Sequence, residues 1–280
     1  MREVAIIGAG ELGGATAHAL ARRDLARVVR IIDEHGHVAA GKALDIAQAA
    51  PVEGFATALS GATDLSHAAG ADVVVVADAF GAGEWHGEEA LALVKRLSEM
   101  APRAIVVCAG ALSAPLVDRC ARELRMPRAR VFGSAPEALA GGARALVALA
   151  LDGSPRDVGL ALLGLPPAHT VIPWQDATVG GLALTRMLDE PARRRIEAMV
   201  AALWTPGPLA LAAAAAKAIA AIDGRSRQLV SCFIAPDASD AGRLRTAALP
   251  VRLGPSGVVD VVLPTLSVAE RVALDNAMML

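Results

Sequence analysis

The amino-acid sequence predicts an α/β fold that begins with a doubly wound parallel sheet. Residues 4–7 (VAII) form a continuous, β-branched run of the kind found in strands that are buried on both faces. A glycine-rich turn follows at residues 8–13 (GAGELG), and residues 14–20 carry the small side chains of a first helix. Short apolar runs then alternate with helical segments up to residue 133, a pattern that is typical of parallel sheets covered by helices.

The turn has the GxGxxG spacing of a dinucleotide-binding loop, and it lies between a strand and a helix as that motif requires. Gly8 is expected to make the tight turn, Gly10 to let the backbone approach a pyrophosphate, and Gly13 to let the helix pack closely on the strand. The backbone N–H groups at the start of the helix, at Glu11 and Leu12, are expected to face the phosphates.

An acidic residue follows at the position that this motif predicts. The second strand, residues 28–32, ends in Asp33, about 20 residues after the last glycine, where a carboxylate holds the ribose hydroxyls. The combination predicts a Rossmann-type site for NAD rather than NADP. Ligands of doubly wound sheets lie at the carboxyl ends of the strands, so Ala77 and the loop at 77–89 are expected over the cofactor. The alternative is a glycine turn in a βαβ unit that binds no ligand.

The remaining elements follow from periodicity and from glycine or proline boundaries. In the first half we predict helices over 41–51, a short helix after an N-cap at Asp64, and helices up to Met100 and over 113–124. Strands are predicted over 55–60, 71–77, 103–108 and 129–132. Together with the strands at 4–7 and 28–32, these four make six strands, which would complete a first domain of residues 1–133.

The second half changes character and predicts an α+β domain of residues 134–280. We expect helices over 136–151, 191–203, 208–222 and 267–279, and strands over 158–163, 170–172, 229–235, 248–253 and 258–263.

Composition restricts the possible function classes. The 280 residues are 54% hydrophobic with a mean hydropathy of +0.46, yet no uncharged apolar run reaches the roughly 18 residues of a membrane span. Excess apolarity without a span suggests a subunit interface, hence a homodimer or homotetramer. A net charge of −2 and a pI of 6.3 argue against nucleic-acid or membrane-surface binding. The first strand begins within four residues, so we expect no leader and a cytoplasmic location.

Cysteine and histidine spacings indicate neither a disulfide framework nor a metal site. The three cysteines form an odd number without CxxC spacing, and the six histidines show no metal-ligand spacing.

Several motifs, in order along the whole chain, resemble those of the malate/lactate dehydrogenase family. They are residues 43–46 (ALDI), 71–77 (ADVVVVA), 131–134 (VFGS), 157–164, Trp174, 177–181 (ATVGG), 249–258 (LPVRLGPSGV) and 266–274 (LSVAERVAL). The resemblance implies a Rossmann domain followed by that family's α+β C-terminal domain, with residues 43–46 at a dimer interface. It also implies hydride transfer between NAD and a small 2-hydroxy or 2-oxo carboxylate.

The polar groups that this family uses for catalysis are mostly replaced here. The position of the family's acid/base histidine falls on Pro166, and its partner aspartate falls on Gly141 if Arg144 is the arginine that binds the substrate carboxylate. The arginine that polarises the substrate carbonyl falls on Gly87, and the asparagine after the fifth strand falls on Ala109. Arg144 alone is retained, and an arginine cannot act as a base near neutral pH.

Two histidines are candidates for the missing base. His169 lies three positions after Pro166, and His86 lies in the loop expected over the cofactor. Each is alternatively an ordinary loop histidine. Two hypotheses therefore stay open: an NAD-dependent oxidoreductase that uses Arg144 with His169 or His86, and a non-catalytic relative that keeps the dinucleotide fold as a sensor or a structural subunit.

Overall fold

The structure, a computed structural model, describes residues 1–237 and 244–279. The strands of the first half are β1 (Glu3–Ile7), β2 (Val28–Ile32), β3 (Ala58–Ala62), β4 (Val73–Val76), β5 (Asp78–Ala79), β6 (Gly83–Glu84), β7 (Ile105–Cys108) and β8 (Val131–Gly133). Its helices are α1 (Glu11–Ala21), α2 (Gly36–Glu53), α3 (Gly87–Met100) and α4 (Ala114–Arg122), with a 3-10 turn at Leu65–Ala68.

Six of these strands pair in parallel in the order β3-β2-β1-β4-β7-β8. The order reverses at β1, which lies between β2 and β4, so the two connections on either side run in opposite directions. This is the predicted doubly wound sheet. The reversal opens a crevice at the carboxyl ends of β1 and β4, which is where ligands bind in this architecture.

Alternating strand residues supply two hydrophobic layers, one on each face of the sheet. On one face, Val4 and Ile6 pack with α1, α2 and two helices of the second half, α5 (Ala135–Ala150) and α7 (Pro208–Ile222). Ala5 and Ile7 pack with α3 and α4 on the other face. In α5 and α7 the abundant alanines allow the helices to lie close together, so the apolar helix predicted at 208–222 is a core helix.

The second half contains helices α5 (Ala135–Ala150), α6 (Glu190–Ala202), α7 (Pro208–Ile222) and α8 (Val268–Met279). Its strands are β9 (Val158–Gly159), β10 (Leu163–Leu165), β11 (His169–Val171), β12 (Thr178–Val179), β13 (Leu182–Ala183), β14 (Val230–Ile234), β15 (Ala247–Gly254) and β16 (Gly257–Val261).

The two halves share one sheet. Strand β14 pairs antiparallel with β8, with Phe233 opposite Gly133, and β15, β10 and β11 continue outward from it while β16 pairs with β15. Within the described residues the central sheet therefore has eleven strands. The predicted domain boundary coincides with the end of β8, and the division into two domains stays a prediction.

Several element boundaries differ from the sequence prediction. Helix α2 begins at Gly36 rather than at residue 41, and it continues through Pro51 to Glu53, where Gly54 ends it with a φ of +77°. Pro51 lies in the last turn of α2, so the kink and the missing N–H that a proline brings affect only the last residues of the helix. The segment 158–163, predicted as one strand, is divided between β9 in a small three-stranded sheet and β10 in the main sheet.

Strand β3 covers Ala58–Ala62 rather than the predicted 55–60, so it continues through Gly61, which pairs with Ile31. A glycine is required there because a Cβ would overlap the backbone of Ala39 and Ala40 in α2. Helix α2 can therefore lie directly on β3.

Over the described ranges, no helix is both long and apolar enough to cross a membrane.

Two glycine-to-alanine substitutions are expected to change the free energy of unfolding in opposite directions. Gly61→Ala is expected to lower the free energy of unfolding by about 1–3 kcal/mol, because the added methyl group overpacks a rigid backbone contact. Gly141→Ala, in the interior of the helix at Ala135–Ala150 with no atom within 4 Å of the new Cβ, is expected to raise it by about 0.5–1 kcal/mol. Urea unfolding measures both values, and a neutral Gly61→Ala would contradict the packing.

Candidate functional site

The glycine-rich turn connects β1 to α1, and its three motif glycines lie in contacts that exclude a side chain. Gly8 has a φ of +112°, and a Cβ there would overlap the carbonyl group of Asp78. A Cβ on Gly13 would overlap the carbonyl oxygen of Gly8, so the start of α1 packs directly on the end of β1. A Cβ on Gly10 would overlap the carboxylate of Asp78.

The side chain of Asp78 occupies the N-terminus of α1. Its Oδ1 accepts a hydrogen bond from Gly13 N at 2.8 Å, and its Oδ2 accepts one from Leu12 N at 3.2 Å. Gly10 N also donates to the backbone carbonyl of Asp78 at 2.9 Å. Because Gly10 has no side chain to cap the helix, a carboxylate from another strand end satisfies these otherwise orphaned N–H groups.

Asp33 lies at the end of β2, as predicted, and is 6% exposed. Its Oδ2 accepts from Ala9 N at 2.7 Å and from Phe80 N at 3.0 Å, and its Oδ1 accepts from His35 N at 2.9 Å. Burial opposes ionisation, but these N–H groups outweigh it and hold the pKa of Asp33 below its ordinary value. The stabilisation that Asp33 provides is therefore complete above the ordinary carboxyl pKa and is lost as the pH falls through the lowered one.

The loop at 77–89 forms a short hairpin, β5 and β6, that is fastened over the sheet edge. Beyond Asp78 and Phe80, it is held by Glu84, whose Oε1 accepts from Ala111 N at 2.8 Å and whose Oε2 accepts from Leu112 N at 3.0 Å. The loop therefore lies where the sequence predicted it, and carboxylate-to-backbone hydrogen bonds tie it down.

A cavity of about 370 Å³ lies between this hairpin and the end of β2. Its lining includes Asp33, Glu34, His35, Phe80, Glu84, Trp85, His86 and Glu89.

The other residues predicted to bind the cofactor, which are those of the glycine turn and Ala77, are not in the lining of this cavity. Ala77, at the end of β4, is buried and donates its N–H to Ile7 O at 3.0 Å. Glu11 is the exposed first residue of α1. Lys42, on α2, donates from Nζ to Gly10 O at 2.6 Å and so fixes the turn from the opposite side.

A second, larger cavity of about 770 Å³ contains Arg144 in its lining. Glu137, 3% exposed on the same helix, accepts at Oε1 from Arg144 Nη1 at 2.8 Å and from Lys217 Nζ at 2.6 Å. Its Oε2 accepts from Ser231 N at 2.8 Å. The cavity is also lined by charged side chains of both signs, namely Arg156, Asp157 and Asp176. One buried carboxylate thus positions two cationic side chains in the lining of the cavity, where they could bind one anionic ligand group.

The structure separates the predicted site residues. His86 is exposed beside the smaller cavity, with Nδ1 2.9 Å from Glu84 O, whereas Arg144 lines the larger one. His169 is exposed on β11 and belongs to the lining of neither cavity, and Pro166 is buried in the turn before it. Among the residues that the structure describes, none lines both cavities.

The remaining replaced positions carry no polar side chain. Gly87 is the exposed first residue of α3, Ala109 is fully buried after β7, and a Cβ at Gly141 would have open space around it.

Four site residues were not identified individually from the sequence: Lys42, Asp78, Glu137 and Lys217. Asp78 was included only as part of the loop at 77–89. Asp78 had a detectable signal, because a charged residue directly after the predicted strand 71–77 lies at the carboxyl edge where ligands bind. Lys217 had one too, as the single charged residue of an alanine-rich helix. The partners of Glu84 and Glu137 depend on the tertiary path of the chain and had no local signal.

Comparisons with known proteins agree with this architecture. Residues 2–114 match the family model described as lactate/malate dehydrogenase, NAD binding domain. The malate dehydrogenase of Thermomicrobium roseum is 31% identical over 304 residues, covering 99% of this chain and 94% of that protein.

Solved structures show the same fold. The malate dehydrogenase from Salinibacter ruber superposes with a TM-score of 0.84 at 26% identity, covering 98% of this chain and 93% of that one. A lactate dehydrogenase from Cryptosporidium parvum, complexed with lactic acid and nicotinamide adenine dinucleotide, superposes with a TM-score of 0.85 at 22% identity over 99% of this chain and 94% of that one. The Rossmann-type first half is an NAD-binding domain, and the chain belongs to the lactate/malate dehydrogenase family.

Proposed function

We propose that this chain is an NAD(H)-binding member of the family that lacks an efficient acid/base pair and acts as a dinucleotide-dependent sensor or structural subunit. The observation that carries the proposal is a contrast between two regions. The glycine turn keeps backbone contacts that only glycine allows, whereas Pro166 and Gly141 stand where the resemblance expects a histidine and an aspartate.

The glycine turn has a shape that would accept a pyrophosphate. The negative charge of the Asp78 carboxylate would have to move away from the start of α1 before this anion could bind. When NAD is bound, its nicotinamide ring supplies hydride transfer. In this chain the N–H groups of Leu12 and Gly13 would hold the phosphates, and Asp33 would face the ribose hydroxyls. Both carboxylates are engaged with backbone N–H groups in the structure, so binding requires a local rearrangement of the hairpin.

Among the described residues, no histidine lines the cavity that holds Arg144, which supports the non-catalytic part of the proposal. A general base must come within hydrogen-bond reach of the proton that it removes, directly or through one water. His86 and Arg144 line different cavities, and His169 lines neither. A carboxylate held by Arg144 would therefore have no histidine beside it among the described residues.

A second candidate function is the family reaction on a 2-hydroxy or 2-oxo carboxylate. The observation in its favour is the larger cavity, where Arg144 and Lys217 are oriented by Glu137 and could hold such an anion. Reaction would then need His169 or His86 to reach the substrate after a conformational change.

NADH titration and a turnover screen distinguish the two functions. We expect NADH to bind, and turnover of oxaloacetate, pyruvate and longer 2-oxo acids to be about 10²–10⁴-fold below that of the Thermomicrobium roseum enzyme assayed in parallel, the range attributed to general acid–base catalysis. His169→Ala and His86→Ala should leave this residual rate unchanged, as should the control His67→Ala at an exposed site on the 3-10 turn.

Robust turnover that is abolished by His169→Ala or His86→Ala, but not by His67→Ala, would contradict the non-catalytic proposal and establish the dehydrogenase.

We further propose a cytoplasmic homodimer or homotetramer in which α2 lies at a subunit interface. The resemblance places residues 43–46 at a dimer interface, and Leu44 and Val52, about two turns apart on the same helix, are 62% and 89% exposed. Light scattering should give a mass of at least two chains, and Leu44→Glu should shift it toward one chain. A monomeric wild type would contradict this proposal.

A further inference from the structure

Asp78 places a negative charge at the position of the turn that a phosphate would occupy. Its two carboxylate oxygens accept from Leu12 N and Gly13 N, the N–H groups at the start of α1. Helix N-termini attract anions through these N–H groups and through the helix dipole. A carboxylate in this geometry makes the interactions that phosphate oxygens would otherwise make.

The Asp78 carboxylate also occupies the space that a phosphate would need. A Cβ on Gly10 would overlap the Asp78 carboxylate, so this group fills the space that the second glycine of the motif leaves open. A phosphate and Asp78 cannot both accept hydrogen bonds from Leu12 N and Gly13 N, and their like charges repel at that distance.

The hairpin that carries Asp78 is held at two further points. Phe80 N donates to Asp33 at 3.0 Å, and Glu84 accepts from Ala111 N and Leu112 N. Release of Asp78 therefore involves a fastened segment and not a single side-chain rotation.

We propose that Asp78 is an internal competitor for the pyrophosphate of the dinucleotide, so that NAD(H) binds only when the β5–β6 hairpin withdraws this carboxylate from α1. The inference rests on the dinucleotide binding proposed above. It identifies Asp78 as the residue that determines dinucleotide affinity, and it makes the ligand-free protein a closed form.

The test compares NADH affinity, by calorimetry and NADH fluorescence, with the melting temperature of the ligand-free protein. Asp78→Ala should lower the melting temperature, because α1 loses its cap, and it should tighten NADH binding by about 2- to 30-fold, the range that corresponds to the loss of one cap. Asp78→Asn, which keeps the size and one acceptor oxygen but removes the charge, should tighten binding by a smaller factor.

Asp72→Ala is the matched control. Asp72 lies at the opposite end of the same strand and accepts from Arg2 N at 2.7 Å and from Glu3 N at 3.1 Å through one carboxylate oxygen. This variant should also lower the melting temperature, but it should leave NADH affinity unchanged because it lies at the amino edge of the sheet.

The outcomes separate the two proposals. If the wild type binds NADH and neither folded Asp78 variant binds it more tightly, the competitor role is overturned while dinucleotide binding stands. If the wild type and both Asp78 variants fold yet none binds NADH, dinucleotide binding is overturned together with it. Binding by the Asp78 variants alone would support the competitor role in its strongest form.

Discussion

Backbone N–H groups at the carboxyl edge of the parallel sheet need acceptors, and in this chain three carboxylates supply them. Asp33 accepts from Ala9 and Phe80, and Asp78 accepts from Leu12 and Gly13. Glu84 accepts from two N–H groups after β7 in the same way. Buried N–H groups without acceptors are costly, so these three carboxylates stabilise the carboxyl edge of the sheet.

This arrangement gives the edge two alternative states. In the closed state the hairpin contributes its own anions, and the edge is complete without a ligand. In the bound state a dinucleotide would supply phosphate and hydroxyl oxygens to the same groups. The carboxylate and the phosphate compete for the same N–H donors. The equilibrium between the closed and bound states therefore depends on the free-energy difference between two similar sets of hydrogen bonds, and not on the full strength of either set.

Sequence reasoning predicted the parts of the site that depend on local pattern. The glycines at 8, 10 and 13 and the acid at the end of β2 follow from fixed spacing within one βαβ unit. The partners of Asp33 could not be predicted, because Phe80 is 47 positions away along the chain and reaches it only through the fold of the hairpin. Lys217 likewise meets Glu137 across 80 positions. The predicted element boundaries were wrong where tertiary packing determines them. Strand β3 continues through Gly61, because the missing side chain lets α2 lie directly on the strand.

Amide hydrogen exchange of the ligand-free protein, followed by NMR, measures whether the Asp78 carboxylate occupies the N-terminus of α1. With Asp78 as acceptor, the N–H groups of Leu12 and Gly13 should be protected to a degree similar to that of Gly14, whose N–H donates to Gly10 O within the first turn of α1. In Asp78→Ala, Leu12 and Gly13 should lose this protection while Gly14 keeps most of it. If both amides exchange in the wild type as fast as in Asp78→Ala, the carboxylate does not occupy the turn, and the proposal that Asp78 competes with the dinucleotide is wrong.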